Sequence, residues 1–558
     1  MVGPPSSMDS RRWRTFLRAT LRSWKDYPQL RAMDRATFDR YEADAKLVQD
    51  AVAALASTPM LDAAFLSAIA PPLERLLQRM YTLGDDITAF LLFKQVGSLL
   101  EDQGLDEPAA HALQWAGRCS RDLRFYDEAQ IHFDRAMVCL QRVGKDHPYF
   151  VDLYGAMGIL CHLTRRWDEA ESHYRRSLDL LKLWPHEVVV RSSRFPKSRL
   201  GGARLNNLLD LLLVRARHSP AEARTRELLA ARKLLTRIRE ISWGDPIALE
   251  FATANEGEIL LLEGRTPEAR ALLLQHVKHL LMGSPAAARL LPAVHRMLAG
   301  AYAEEGDVRE AYAHCREALQ QSLHHANAYE EGMVVEATLD IMSDAIRPRL
   351  AGAGLSALDA DDRETLQNLV LMLEQKDWYT GNNHSRAVSR LSRTIGEQLV
   401  ATPQSRAGRM EDSASFLDLQ LLELGGLLHD IGKLRIPWSL LNKCNPLCPV
   451  EHRILESHVA EGGSMLRYLG FAPLSRLVEE HHEKLDGSGY PAGRQNLSLM
   501  GAIVAVTDAY EAMVTPNRRY ATARTHESAL DELEARSGVH YHPRVVLALR
   551  QVIASGPS

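Results

Sequence analysis

The sequence predicts an all-α protein built as a helical repeat array followed by a second helical domain, and three observations predict it. Residues 80–345 are rich in Leu, Ala, Glu and Arg with few turn clusters, so helix follows helix instead of alternating with strands. Within that stretch two separate pairs of segments repeat at nearly the same period. A cluster of Gly, Pro, Ala, Ser and Asp at 347–362 then precedes a region whose apolar residues again follow helical spacing. At 558 residues the chain exceeds what one hydrophobic core organises and fits two or three domains.

Composition excludes several classes. The hydrophobic share of 46% and charged share of 25% are ordinary for a folded soluble chain. Lys+Arg 67 against Asp+Glu 71 leaves a net charge of −4, so no bulk field favours a nucleic-acid polymer or a membrane surface. No run reaches the roughly 18 apolar residues of a membrane span, and the Arg-rich start lacks the apolar stretch of a secretion signal. A cytoplasmic protein is expected. The six cysteines, at 119, 139, 161, 315, 444 and 448, are too few and too scattered for a disulfide framework. Cys444 and Cys448 alone resemble half a metal site, and without a second pair they read as a loop or buried thiols.

The repeats come in matched pairs. In YDEAQIHFDRAM, Ala129 is followed by Phe133 and Ala136, with Gly117 upstream; WDEAESHYRRSL supplies Ala170, Tyr174, Ser177 and Gly158, a period of 170 − 129 = 41. Further on, EGRTPEA and EGDVREA place Ala269 and Ala311 at 311 − 269 = 42, with Gly257 and Ala299 in the small upstream position. Small residues there let paired helices approach closely, and the large residue four places after the second small one is expected to fill the groove between hairpins. This pattern resembles the tetratricopeptide repeat in its long form of about 42 residues. The resemblance implies a concave surface for a protein or peptide partner. A hairpin near 219–235 fits the pattern less well.

Domain limits follow. Residues 1–79 are expected to cap the array, with Trp13, Phe16, Leu17, Leu21 and Trp24 on one helical face. The array occupies 80–345, a linker 346–362, and the second domain 363–558.

The chemistry is concentrated in that second domain. LDLQLLELGGLLHDIGKL (417–434) reads as a core helix through Leu421, Leu424, Leu428 and Ile431, and it ends on the adjacent His429 and Asp430. A lone His-Asp pair is weak. Around it stand His384, His458, the tandem His481 and His482, and Asp508, each in an apolar helical segment or at a helix end, where an isolated polar group would cost about a few kcal/mol. Five imidazoles and two carboxylates in the order H, HD, H, HH, D point to metal ligands.

The order and the flanking words resemble the HD-GYP family. LLHDIGKLRIP (427–437), HVAEGG with Gly462, and HHEKLDGSGYP (481–491) stand in the family's sequence over residues 363–555. The resemblance implies an all-helical fold of the HD superfamily and a cyclic di-GMP phosphodiesterase giving linear pGpG, GMP or both. It implies one divalent metal held by His384, His429, Asp430 and Asp508, and a second held by Asp430, His458, His481 and His482, with Asp430 bridging and iron or manganese as the ions. Two cations about 3.5–4 Å apart can share a hydroxide and stabilise both attacking and leaving oxygens at phosphorus. Lys433, one turn beyond His429, is expected to serve catalysis by pairing with a phosphate oxygen. Gly489, Tyr490 and Arg518 complete the expected substrate contacts.

The sequence departs from the family in three places. KDWYTGNNH offers Tyr379 and Thr380 where some members carry a Glu for a third metal, so two metals are expected, and this segment is one residue longer than usual before His384. The arginine cluster reads Asn517-Arg518-Arg519-Tyr520-Ala521, and His542 replaces an Asp in the tail. Two other readings stay open: a cyclic-dinucleotide receptor that signals through the repeats without turnover, and a hydrolase of another cyclic dinucleotide.

Overall fold

The computed structural model describes residues 46, 71, 73–75, 77–78, 86–144, 147–183, 197–241, 246–325, 328–353, 360–377, 383–401, 417–443, 447, 449–515 and 523–555. The chain divides into two compact units, one formed by Met1–Asp307 with His324–Glu330, the other by Val308–Leu323 with Glu331–Ser558. No β-strand occurs among the described residues; Ser537 and Tyr541 form an isolated bridge. The expected capping face at Trp13–Trp24 lies outside the described residues, as do Cys444 and Cys448.

Among the described residues the longer helices of the first unit are α1 (Asp86–Asp102), α2 (Asp106–Asp122), α3 (Tyr126–Val143), α4 (Phe150–Leu163), α5 (Trp167–Leu183), α6 (Lys197–His218), α7 (Ala221–Ile241), α8 (Pro246–Leu262), α9 (Thr266–Met282) and α10 (Leu291–Glu304). The repeat positions are core positions: Ala129, Ala136, Ala170, Ser177 and Ala269 are fully buried. The large residue also makes a close contact within its own hairpin. Phe133 of α3 lies over Gly117 of α2, its own hairpin partner, so close that a Cβ on Gly117 would stand 2.5 Å from the ring. Tyr174 covers Gly158, and Leu273 covers Gly257, with the same 2.5 Å clearance. Tyr174 also shares a buried cluster with Leu208 and Leu211 of α6, and Leu273 with Leu291, Val294 and Leu298 of α10, so these residues pack within their own hairpin and toward the next. The weaker match near 219–235 also has a physical form: α6 and α7 run 22 and 21 residues, longer than the 17 and 18 of α2 and α3.

The second unit begins with α11 (Val308–His324), α12 (Ala328–Ala353) and α13 (Ala360–Lys376). The chain passes between the two units at 307/308, at 323/324 and at 330/331, the last of these within α12. The segment 346–362, read as a linker from its composition, starts inside α12 and ends inside α13. Leu319, Val335, Leu339 and Met342 share one buried cluster with Leu369 and Leu373 of α13 and with Leu424, Leu428, Ile431, Leu434, Met465 and Leu466 further along. Three helices ahead of the metal-ligand motifs therefore build part of the floor on which those motifs rest.

Beyond these, the described residues of the unit include α14 (His384–Ala401), α15 (Leu419–Leu428), a 3-10 turn (Ile431–Arg435), α16 (Pro449–Glu456), α17 (His458–Tyr468), α18 (Ala472–Glu480), α19 (Leu499–Val514), α20 (His526–Ala535) and α21 (Pro543–Ala554), with a single helical turn at Trp438–Leu441. Local chemistry sets their ends. The Asp418 carboxylate accepts from the N–H groups of Gln420 and Leu421 and starts α15; Ser498 caps α19 and Thr525 caps α20 in the same way. Helix α19 is apolar nearly all round and correspondingly central, with Ile503, Val504 and Val506 buried against Val388, Ile395, Leu422, Leu530 and Val546. Among the described residues no helix is long and apolar enough to cross a membrane.

Candidate metal centre

Helix ends deliver most of the candidate ligands. His384 opens α14, His429 closes α15, Asp430 starts the 3-10 turn, His458 opens α17, His481 and His482 follow α18, and Asp508 projects from the middle of α19. Asn383, just ahead of His384, takes a left-handed φ of 80°, and its carbonyl accepts the N–H of Ala387 in the first turn of α14. The 3-10 turn approaches α17 more closely than side chains would allow. A Cβ on Gly432 would lie 1.9 Å from the His458 carbonyl oxygen, so the HDIGK glycine is what lets Asp430 and His458 meet.

The donors gather in two groups. Single ligand atoms of Asp430, His458, His481 and His482 lie within 4.8 Å of one another, and those of His384, His429 and Asp508 do likewise. Asp430 faces both: its Oδ1 is 3.4 Å from His458 Nε2 and 4.0 Å from His481 Nε2, while its Oδ2 is 3.3 Å from His429 Nε2. His384 Nε2 lies 3.2 Å, and His429 Nε2 3.6 Å, from Asp508 Oδ1.

Three imidazoles are oriented by the backbone. The Nδ1 atoms of His429, His458 and His481 lie 2.8, 2.6 and 2.5 Å from the carbonyl oxygens of Gly426, Leu455 and Val478, three residues back in each case. An Nδ1–H that donates there fixes the tautomer with a bare Nε2. Those three Nε2 atoms are buried and make no hydrogen bond. Buried nitrogen lone pairs converging on carboxylates are costly as they stand and become favourable around a cation. The donor set therefore fits divalent metal.

The electrostatics of the tandem histidines agree with that reading. Burial and the neighbouring imidazoles push His481 down to about 3, and burial with the adjacent His481 holds His482 well below its usual value. Neutral imidazole is the form that binds metal. His429 differs: burial opposes charge on it and on Asp430 and Asp508, yet their attraction for one another, with Lys433 beside Asp430 and His384 beside Asp508, outweighs it, so His429 is held up at about 10 and gives up its proton only to a competing cation, while both carboxylates stay well below the usual range.

The expected substrate residues occupy different settings. Lys433 Nζ turns back onto Asp430 Oδ2 at 2.7 Å and lies 3.5 Å from Asp377 Oδ2. The Tyr490 ring stands 4.8 Å from that of His482, centroid to centroid. Gly489 makes a close approach to the protein itself, since a Cβ there would meet the backbone of His482, Glu483 and Lys484 at 2.5 Å. Arg518 lies outside the described residues, as do Tyr379 and Thr380, and His542 sits at the N-cap of α21.

Sequence reasoning missed the acids that hold this loop. Glu483, almost fully buried, accepts the N–H groups of Ala492 at 2.8 Å and Arg494 at 2.9 Å, pinning the far side of the turn that carries Tyr490. Glu480, also buried, accepts from the N–H and hydroxyl of Ser498 and so ties α18 to the start of α19. Each sits beside or one residue from the tandem histidines, and that adjacency was the available signal.

Comparison with known proteins bears on the same segment. Residues 380–545 match the HD domain family, and residues 108–182 match the tetratricopeptide repeat. The second unit carries an HD domain. A cyclic di-GMP phosphodiesterase of Thermotoga maritima is 34% identical over 191 residues, 33% of this chain and 48% of that protein. The cyclic di-GMP phosphodiesterase response regulator RpfG of Xanthomonas campestris is 29% identical over 56% of this chain and 80% of its own length. A 3'3'-cGAMP-specific phosphodiesterase of Vibrio cholerae is 32% identical over 33% of this chain and 36% of that protein. The chain thus spans about half or less of the Thermotoga and Vibrio relatives.

Proposed function

We propose that the second unit is a metal-dependent phosphodiesterase of the HD-GYP type that hydrolyses cyclic di-GMP to linear pGpG, GMP or both. The observation that carries this is the pair of His/carboxylate groups with Asp430 facing each. In this reading His384, His429, Asp430 and Asp508 hold one cation, and Asp430, His458, His481 and His482 the other. Iron or manganese suits such nitrogen and oxygen donors. Two cations held there would supply an activated water and neutralise charge on the phosphodiester.

The chain's own residues do the rest. Lys433, already among the carboxylates at the site, offers its ammonium to a phosphate oxygen of the bound dinucleotide. Gly489 lets the loop lie flat on the His482–Lys484 backbone, and this sets Tyr490 against His482 as a wall for the substrate. Arg518 is proposed to meet the nucleotide as well. The repeats are proposed to bind a protein partner that controls the enzyme in the cytoplasm.

The test is direct. Protein loaded with manganese or ferrous iron is incubated with cyclic di-GMP and the products are separated by chromatography. Linear product from the wild type and none from Asp430→Ala supports the reading; tight binding without product in any metal favours a receptor instead. The similarity to a protein named as 3'3'-cGAMP-specific supports a second reading with the same chemistry and another cyclic dinucleotide. Parallel assays on both substrates separate the two.

A further inference from the structure

Lys376, the last residue of α13, carries an ammonium that is 1% exposed. It forms an ion pair with the buried carboxylate of Glu331 near the start of α12, and it donates to the carbonyl oxygen of Leu434. Leu434 belongs to the 3-10 turn that begins directly after Asp430 and also holds Lys433. Carbonyls at the end of such a short turn lack partners within it, and Lys376 satisfies one of them. The backbone of Lys376 is itself tied down, because its carbonyl accepts from the Asn442 side-chain amide at 2.8 Å.

A buried ion pair is weak support for stability, since desolvation offsets much of the attraction and a well-packed apolar pair of the same volume serves as well. What an apolar pair cannot do is fix the height of a carbonyl. The same helix α12 makes two further polar contacts with the elements that carry candidate ligands. Glu336 Oε1 lies 3.1 Å from Arg435, whose other nitrogen is 2.7 Å from Glu461 on α17, and Asp340 accepts from the Tyr468 hydroxyl at the end of α17.

We propose that Glu331 and Lys376 are positioning residues for the turn Ile431–Arg435, setting where Lys433 meets the substrate phosphate. Both precede the HD match at 380–545, so the substrate lysine is placed by residues supplied from outside that segment. This inference rests on the phosphodiesterase reading for its kinetic consequence, while its structural consequence stands apart from it.

The discriminating variant is the apolar pair Glu331→Leu/Lys376→Met in the full-length chain, alongside Glu331→Gln. The double variant is expected to keep the wild-type melting temperature and cation stoichiometry. KM for cyclic di-GMP should rise about tenfold, with kcat changed much less. Amides of Gly432–Ile436, followed by hydrogen exchange, should lose protection by about tenfold. Lys376→Arg, which retains a donor, should restore part of both. Wild-type KM together with wild-type exchange in the folded double variant overturns the proposal. If the wild type itself turns over no cyclic dinucleotide, exchange alone decides: faster exchange in the turn supports the positioning role, and unchanged exchange overturns it.

Discussion

Lys433 reaches back across one 3-10 turn to Asp430, with its Nζ 2.7 Å from the carboxylate oxygen that also faces His429. A lysine so placed cannot be a solvated surface charge; its side chain is only 13% exposed and it lies between two acids, Asp430 and Asp377. If its role is to neutralise a phosphate, removing the ammonium costs a charge-assisted hydrogen bond to substrate and leaves the cation ligands in place. Lys433→Met is expected to lower kcat/KM by roughly 10- to 100-fold. Metal content measured on the same protein should be unchanged.

The two donor groups predict separable metal losses. His458→Ala removes a ligand from one group, and Asp508→Asn weakens the other, so each variant should retain about one cation per chain after dialysis. Asp430→Ala faces both groups and should lose most of both. Elemental analysis of the purified variants checks this, and equal loss in all three would contradict the division.

Much of this centre was legible in the sequence because histidine, aspartate and their spacing announce themselves. The structure brings together His384, His429, Asp430, His458, His481, His482 and Asp508, which the order of motifs had singled out. What could not be read is whatever acts through the backbone. Nothing in the letters says that the carbonyls of Gly426, Leu455 and Val478 orient three imidazoles, since any residue supplies a carbonyl. The all-helical class was legible from composition and period. The close fit of Phe133 over Gly117 was not, because spacing along a chain does not show which facing residue a ring meets.

Glu483 illustrates the same limit and yields a prediction. Its buried carboxylate accepts two backbone N–H groups across the loop, so Glu483→Gln replaces one acceptor with a donor facing an N–H. The loop should open locally at a cost of about 1–3 kcal/mol. Faster hydrogen exchange at Ala492 and Arg494, with α19 unaffected, is the expected observation.

The repeat hairpins predict an overpacking effect. Gly117→Ala would force a methyl to 2.5 Å from the Phe133 ring and should destabilise that hairpin by about 1–3 kcal/mol. Phe133→Leu on the same background, with a smaller side chain over the new methyl, should recover part of the loss. Thermal unfolding followed by circular dichroism compares the three.

Acid should loosen the array through His132. Burial, with Lys94 adding to it, lowers this imidazole to about 4, while Glu128 pulls the other way. A depressed folded-state value means that the unfolded chain binds the proton first. Stability contributed by the neutral ring is therefore complete above about pH 6.5 and falls as the pH drops from there toward 4. The loss between those limits should be roughly 2–3 kcal/mol at helix α3. Hydrogen exchange of Tyr126–Val143 at pH 7 and pH 5 should show it in the wild type and much less in His132→Leu.

Seven side chains are proposed to form one cation-dependent phosphodiesterase centre. Its most direct test is turnover of cyclic di-GMP on a single preparation whose metal content is measured in parallel, as manganese or ferrous iron is removed and restored. Linear product should appear in proportion to bound metal, with none from Asp430→Ala. Bound metal with no hydrolysis of cyclic di-GMP would contradict it.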